Sequence, residues 1–285
     1  MLPCNKLAKK GKDMNLCKSN QDLTREIKEF ILNVDHVKEE SITDYLVWKW
    51  KEMDKNFNSI KVKTFTRHEE HKIGADFDME IWLIGNNGNY PLTIQAKKFI
   101  KSYDSYASKL RYRYNTKDQM KKLLAHSAST NKIPFYMFYS QPDNKTTSMC
   151  YCNNSNDCGV FLACAYDIEK FADKKRGKKV SMNDILKDSI PFHCIFCCPS
   201  FFETCFNIAK FKGCCPPFFE KCFNMAKFKG KNVDIPEYIE YLSKHRDGLD
   251  NEEMEELIKN YESENKDYKS GNYRHIAVYD MRDKE

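Results

Sequence analysis

Residues 74–99 read GADFDMEIWLIGNNGNYPLTIQAKKF, and this stretch decides the fold. Asp76, Asp78 and Glu80 alternate with apolar residues, which is the pattern of a strand with one acidic face and one apolar face. The Asn-Asn-Gly-Asn sequence at 86–89 favours a turn, because Asn and Gly tolerate positive φ. The stretch therefore predicts a β-hairpin.

The second strand of this hairpin ends in Gln95-Ala96-Lys97, so the side chains of Gln95 and Lys97 share one face. The hairpin would bring Asp76, Gln95 and Lys97 around one point. A carboxylate and an amide oxygen are hard ligands suited to Mg²⁺ or Mn²⁺. A lysine beside them would orient or deprotonate a water, or stabilise charge on a phosphate. An ordinary hairpin with polar residues on its solvated face explains the same spacing.

Composition limits the class of protein. The chain has 285 residues, enough for one large domain or two small ones, and its 41% apolar fraction supports a core. The net charge of +6 is compatible with nucleic acid without requiring it. No apolar run approaches the roughly 20 residues of a membrane span, and the first residues lack the apolar segment of a signal peptide. We expect a cytoplasmic protein without membrane contact, whose 13 cysteines are reduced.

Two helices and a strand are predicted before the hairpin. Apolar spacing indicates a helix over 22–34, after a basic leader. A second helix, capped by Ser41 or Thr43, precedes an alternating strand at 59–67. The inner face of the second helix is expected to carry Ile42, Leu46, Val47 and Trp50.

Glu39 and Glu40 lie at the start of the second predicted helix. Acidic side chains near a helix N-terminus are favoured by the helix dipole, and this alone accounts for both residues. The functional alternative is that one of the two carboxylates turns towards the hairpin and joins the metal site.

Residues 97–122 are basic and rich in tyrosine, with nine Lys or Arg residues against two Asp. Basic side chains neutralise phosphates and aromatic rings stack on bases, although a solvated helix surface has the same composition. A helix capped by Thr116 and a buried strand at 133–140 follow. The candidate nucleic-acid contacts are Lys98, Lys101, Lys109, Arg111, Arg113 and Tyr114.

A 17-residue segment at 197–213 is repeated at 214–230, with 14 identical positions. Each copy predicts a short helix with a stripe of Phe, Cys and Ala, so the pair is expected to form a helical hairpin. The alternative is a zinc site, whose ligands would be Cys194, Cys197, Cys214 and Cys215. The region after 231 is acidic and helical, and it ends in a strand at 273–279 that is expected to return to the main sheet.

The order of these elements over residues 36–140, helix, three strands, helix and strand, resembles the PD-(D/E)XK or restriction-endonuclease-like superfamily. The sequence Gln95-Ala96-Lys97 on the third strand is similar to the Mrr-like branch. The sequence departs from the usual pattern because Gln95 is neutral and Gly74-Ala75 precedes the acid where many members have proline.

The resemblance implies a role for each matching residue. Asp76 would be a metal ligand, Gln95 would occupy the second ligand position, and Lys97 would be the catalytic lysine. An acid on the first helix is matched by Glu40, or alternatively by Glu39. Gln119, on the helix after the third strand, would be an auxiliary polar residue that contacts the nucleic acid.

The expected fold class is α/β, with a restriction-endonuclease-like core in which helices flank a mixed central sheet. The core is expected at 36–196, after a leader and helix at 1–35, and before the repeat at 197–230 and an acidic helical region at 231–285. The expected function is Mg²⁺- or Mn²⁺-dependent hydrolysis of DNA in restriction or anti-phage defence, with a homodimer as one option for assembly. The alternatives are a nucleic-acid-binding protein of the same fold with weakened catalysis, and a zinc-stabilised interaction module.

Overall fold

The structure is a computed structural model. It describes residues 12–58, 60–65, 77–86, 88–99, 110, 113–114, 117–150, 155–172, 180–197, 218, 221–222, 225, 233–245, 251–268 and 273–282. Within these ranges the chain is an α/β protein with a seven-stranded mixed sheet and eight helices.

The helices and strands are numbered in chain order. The helices are α1 Lys12–Asn33, α2 Glu39–Phe57, α3 Gln119–Ser129, α4 Ala165–Ala172, α5 Met182–Leu186, α6 Cys194–Cys197, α7 Glu237–Lys244 and α8 Asn251–Glu264. The strands are β1 Ile60–Thr64, β2 Phe77–Gly85, β3 Gly88–Phe99, β4 Arg113–Tyr114, β5 Lys117–Asp118, β6 Ile133–Ser140, β7 Val160–Cys164, β8 Ser189–Pro191 and β9 Tyr273–Asp280. A separate two-stranded ribbon is formed by β4 and β5.

The C-terminal strand β9 lies inside the main sheet. The strand order is β1-β9-β2-β3-β6-β7-β8. Strand β9 runs antiparallel to β1 and parallel to β2, while β2 and β3 form the antiparallel hairpin and β3 runs parallel to β6. The prediction that the C-terminal strand returns to the main sheet is therefore confirmed.

Both faces of the sheet are covered. Helices α1, α2 and α6 pack on one face, around Leu46, Trp50 and Ile94. Helices α3, α4, α7 and α8 pack on the other face, around Trp82 and Phe138. Because the central strand β6 faces a helical layer on each side, all eight of its residues are buried, as its continuous apolar sequence predicts.

The hairpin prediction is confirmed, but its acidic face is not a solvated one. Met79 pairs with Ile94 and Gly85 with Gly88, so the turn falls between the two glycines. Glu80, expected on the polar face, is fully buried. The prediction of a polar, solvated face is wrong at Glu80 because helices α7 and α8, from far along the chain, cover the face on which Glu80 lies.

The helices differ from the predictions mainly at their starts. Helix α1 begins at Lys12, about three turns before the predicted start. Helix α2 has the predicted inner face, but its N-cap is Lys38, and Thr43 lies inside the helix with its hydroxyl 2.8 Å from that of Tyr139. Helix α3 is capped by the carboxylate of Asp118, which accepts hydrogen bonds from two backbone amides, rather than by Thr116, which lies outside the described residues.

Most of the duplicated segment at 197–230 lies outside the described residues, so the predicted helical hairpin stays a prediction. Four residues of the second copy are described: Phe218 and Cys222 are buried in the core beside α1 and α2, whereas Lys221 and Met225 are exposed. None of the described helices has the length and apolar character needed to cross a membrane.

The carboxylate of Glu80 is the centre of a buried polar cluster. It accepts hydrogen bonds from Trp82 Nε1 at 2.5 Å, Lys132 Nζ at 2.7 Å, Tyr238 Oη at 3.1 Å and Tyr268 Oη at 2.9 Å. The ammonium of Lys132 also lies over the rings of Tyr268 and Tyr273, at 4.3 and 4.8 Å. The cluster therefore ties α7, the segment after α8, and β9 to the hairpin.

We predict that breaking this cluster on one side destabilises the fold strongly. Glu80→Leu leaves the buried ammonium of Lys132 without its counter-charge, and such changes cost roughly 3–5 kcal/mol. The double variant Glu80→Leu, Lys132→Met removes both charges, so its loss of unfolding free energy should be clearly smaller than the sum of the two single losses. Urea denaturation measures all three variants, with Glu256→Leu, an exposed position on α8, as the control. Equal losses in Glu80→Leu and the control would show that the cluster does not hold the fold together.

Candidate active site

The candidate site lies where the hairpin ends meet the start of α2. Because β2 and β3 are antiparallel, the beginning of β2 lies beside the end of β3. Helix α2 begins at the same place, since the backbone N–H of Lys98 donates to Glu39 Oε2 at 2.6 Å. Three elements that are separate in the sequence thus converge there.

Asp78 lies at the centre of the site. Its Oδ2 accepts hydrogen bonds from Gln95 Nε2 at 2.5 Å and from the backbone N–H of Ala96 at 2.7 Å. The other end of the Gln95 amide, Oε1, accepts from Gln119 Nε2 at 2.9 Å. Hydrogen bonds between side chains therefore connect Asp78 on β2, Gln95 on β3 and Gln119, the first residue of α3.

A second carboxylate faces the first. Glu39 Oε1 lies 3.7 Å from Lys97 Nζ, while its Oε2 is held by the Lys98 amide. The side chain of Lys97 is 13% exposed and that of Glu39 29%, so the ion pair is largely enclosed but still reached by solvent. The backbone contact fixes the carboxylate of Glu39 against β3.

Both carboxyl groups ionise less readily than they would in water. Burial, followed by the charge of Glu39, raises the pKa of Asp78 to about 7. Burial also raises the pKa of Glu39. Lys97 opposes both shifts, as do the Ala96 amide at Asp78 and the Lys98 amide at Glu39. Both carboxyl groups therefore keep their protons to a higher pH than they would in water, as is common for groups in sites that bind a cation or transfer a proton.

Arg274 adds a cation from a distant part of the chain. Phe77 and Met79, on either side of Asp78, pair with Tyr273 and His275 of β9, which sets Arg274 alongside Asp78. Its positive charge lowers the pKa of Asp78, against the larger effect of burial. The guanidinium is itself held by Asp44 of α2 at 3.0 Å.

The structure brings some of the residues predicted for the site together and leaves others apart. Gln95 and Lys97 lie at the site, as expected from their shared face. Asp76 lies outside the described residues, and its assignment as a metal ligand stays a prediction. Glu40 is exposed, and Glu39 is the carboxylate that turns towards Lys97.

The predicted nucleic-acid contacts are only partly described. The ammonium of Lys98 donates to the carbonyl of Val37, and Gln119 donates to Gln95, so both side chains contribute to the local structure. The backbone of Arg113 and Tyr114 forms β4, but their side chains, and the whole of Lys101, Lys109 and Arg111, lie outside the described residues.

Two members of the site were not predicted as such. Asp78 follows Asp76 at the spacing of one strand face, so the alternation signalled it, but the sequence did not show which of the two meets Gln95. Arg274 had no signal, because only the pairing of β9 with β2 brings it to the site.

The oxygen donors of the site are of a chemical type that binds divalent cations. The carboxylates of Asp78 and Glu39 are hard oxygen donors, and a bound cation would favour their ionised forms against the burial that raises their pKa values. Gln95 points its nitrogen at Asp78, so presenting Oε1 to an ion would require the amide oxygen and nitrogen to exchange places. Over the described ranges, no group of three or more His, Cys, Asp and Glu side chains is arranged to hold a metal ion. The described residues thus offer an ion two carboxylates, and the amide oxygen of Gln95 only after that exchange.

Comparisons with known proteins identify a family but do not assign an activity. A family described as a family of unknown function, DUF6615, matches residues 16–281. Comparisons with curated proteins and with solved structures found no match.

We predict an inverted pH dependence of stability at Asp78 in metal-free protein. A folded-state pKa near 7, against an ordinary value of 3.8, means that the folded protein keeps a proton that the unfolded chain loses earlier. The contribution of Asp78 to stability is therefore full below about pH 4 and is lost as the pH rises to about 7. Asp78→Asn should remove this loss, so the variant should gain about 1–3 kcal/mol relative to wild type between about pH 5 and pH 8.

Urea denaturation in EDTA at both pH values measures this difference. Asp157→Asn, a change at an exposed carboxylate outside the site, is the control and should follow the wild type. A parallel pH dependence of wild type and Asp78→Asn would contradict the raised pKa of Asp78.

Proposed function

We propose that this chain, which belongs to the DUF6615 family of unknown function, is a metal-dependent nuclease acting on DNA phosphodiester bonds. Because the family's function is unknown, the activity is inferred from the chemistry of the site. The observation that carries the proposal is the meeting of Asp78, Glu39 and Gln95 with Lys97 at one end of the sheet. A pair of enclosed carboxylates with an amide and a lysine is a suitable set for hydrolysis of a phosphate ester.

The order and directions of the strands support the proposal. Helix α2, strands β1, β2 and β3, helix α3 and strand β6 follow one another as in the restriction-endonuclease-like core. The antiparallel pair β2–β3 and the parallel pair β3–β6 agree with such a core. The insertion of β9 between β1 and β2 is an elaboration of this chain.

Each residue has a role in the proposed reaction. Asp78 and Glu39 would hold Mg²⁺ or Mn²⁺, and the ion would supply activation of a water and compensation of charge on the phosphate. Lys97 positions a water or stabilises the developing negative charge on the phosphate oxygens. Gln119 orients the amide of Gln95 through its hydrogen bond to Oε1. Arg274 lies close enough to Asp78 to act on the same negative charge.

A second function is favoured by the hydrogen bonds of Gln95. Its amide is bound at both ends, to Asp78 and to Gln119, and it brings no charge to the site. A protein that binds nucleic acid but has lost hydrolysis would tolerate this arrangement. The zinc-stabilised module rests on the duplicated segment and stays a prediction.

We expect purified protein with Mg²⁺ or Mn²⁺ to nick or degrade DNA, and EDTA to stop the reaction. Asp78→Asn and Lys97→Ala should each lower the cleavage rate by about 100-fold or more, because each removes an interaction with the charged transition state. Glu39→Gln should also lower the rate, whereas Glu40→Gln, its exposed neighbour, should retain wild-type activity.

Two further results separate the alternatives. Mn²⁺ should raise the melting temperature of the wild type but not of Asp78→Asn, because an ion that binds the folded state stabilises it. If Asp76→Asn is inactive and Asp78→Asn is active, the metal ligand is Asp76 instead. A wild type that binds DNA without cleaving it under any of these metal conditions would favour the binding protein.

A further inference from the structure

The side-chain amides of Gln95 and Gln119 contact each other beside the candidate site, and the orientation of one depends on that of the other. Gln119 Nε2 donates to Gln95 Oε1 at 2.9 Å, and Gln95 Nε2 donates to Asp78 Oδ2 at 2.5 Å. Gln95 therefore offers the site its nitrogen and turns its oxygen away. We propose that both amides turn over together when a divalent cation binds, so that Gln119 sets the affinity of the site for the ion, an inference that rests on the proposed function.

The oxygens around Gln95 Nε2 explain the orientation of this amide. Asp78 Oδ2 also accepts a hydrogen bond from the backbone N–H of Ala96 at 2.7 Å, and the carbonyl oxygen of Ala96 lies 3.4 Å from Gln95 Nε2. An amide oxygen in the place of Nε2 would face these two oxygens with no hydrogen between them. Gln95 is 4% exposed, so water compensates little of that cost. Without a cation, the nitrogen of Gln95 therefore has to face Asp78.

A bound cation would reverse this preference. A divalent cation attracts oxygen and repels an N–H group, so Gln95 can join the donor set only through Oε1. Turning the amide of Gln95 would bring its Nε2 opposite Nε2 of Gln119, in the contact where oxygen and nitrogen are now 2.9 Å apart. Two donors facing each other repel and leave a buried N–H without an acceptor. Gln119 therefore has to turn as well and offer its own oxygen.

The oxygen of Gln119 is available for this exchange. Gln119 Oε1 is buried and has no hydrogen-bond partner among the residues that the structure describes. Within the same ranges, the side chain of Gln119 makes its hydrogen bond to Gln95 and to no other residue. Turning the amide of Gln119 thus breaks one hydrogen bond, which forms again with donor and acceptor exchanged.

A substitution at Gln119 should change the preferred orientation of Gln95. Gln119→Glu removes the donor to Gln95 Oε1 and leaves only acceptors, which favours the turned orientation before an ion arrives. This preorganisation should tighten ion binding by about fivefold, the scale of one hydrogen bond. The change also adds negative charge. Lys121→Gln, at an exposed position in the same turn of α3, changes the net charge equally and should bind the ion as the wild type does.

A double-mutant cycle separates the hydrogen bond from the added charge. Isothermal titration calorimetry with MnCl₂, on the full chain without DNA, measures the ion affinity of wild type, Gln119→Glu, Gln95→Met and the double variant. Methionine has a similar length but no amide, so it cannot transmit a hydrogen bond from position 119. The gain from Gln119→Glu should be about fivefold with Gln95 present and largely absent with Gln95→Met. Equal gains in the two backgrounds would reduce the effect to charge and overturn the inference.

NMR of ¹⁵N-labelled protein follows the two amides directly. In metal-free protein, the NH₂ group of Gln95 and the backbone N–H of Ala96 donate to the same oxygen of Asp78, so an NOE between their protons is expected. Adding MgCl₂ should remove this NOE and shift the NH₂ signals of both Gln95 and Gln119. A shift at Gln95 with an unchanged signal at Gln119 would show that the amides turn independently, which contradicts the coupling.

The results also distinguish this inference from the nuclease itself. A wild type that cleaves DNA and binds Mn²⁺ no more weakly than Gln119→Glu loses the coupled amides but keeps the metal-dependent reaction. A wild type that shows the coupling in the absence of DNA, yet cleaves no DNA, keeps the amides and loses the nuclease. A wild type that binds no Mn²⁺ loses both.

Discussion

The pairing of β9 between β1 and β2 is the constraint on which the rest of the structure depends. Among the described strands, β1 pairs with β9 alone, so without β9 the first strand would be separated from the sheet. The same strand brings Tyr273 to the buried cluster around Lys132 and Arg274 to the side of Asp78. Two distant parts of the chain must therefore meet before either the core or the candidate site is complete, a long-range contact of the kind that folds slowly.

The two acids of β2 lie in different environments. Among the described residues, Glu80 is fully buried and receives four hydrogen bonds, including one from the ammonium of Lys132. Asp78, two residues earlier, accepts two hydrogen bonds from the described residues, and the charge of Glu39 acts on it. The first carboxylate is fully hydrogen-bonded and ties distant elements together, whereas the second has a pKa that burial and the charge of Glu39 raise, at a cost in stability near neutral pH.

The elements of the core could be predicted from the sequence where the apolar pattern is strong. The hairpin, the inner face of α2 and the buried strand β6 follow from alternation, helical spacing and a continuous apolar run. Helix starts were less predictable, since Asp118 rather than Thr116 caps α3. The burial of Glu80 could not be predicted at all, because its cover comes from residues more than 150 positions away in sequence.

By itself, the sequence determined the α/β class, the hairpin and the shared face of Gln95 and Lys97, because each depends on residues that are near neighbours in the chain. The tertiary structure alone decided that Glu39 turns to Lys97 while Glu40 stays exposed, that Asp78 receives the amide of Gln95, and that Arg274 joins them. A residue spacing fixes which side chains share a face of one strand or helix, but the packing of separate elements fixes which of them meet, and that packing depends on contacts across the whole chain.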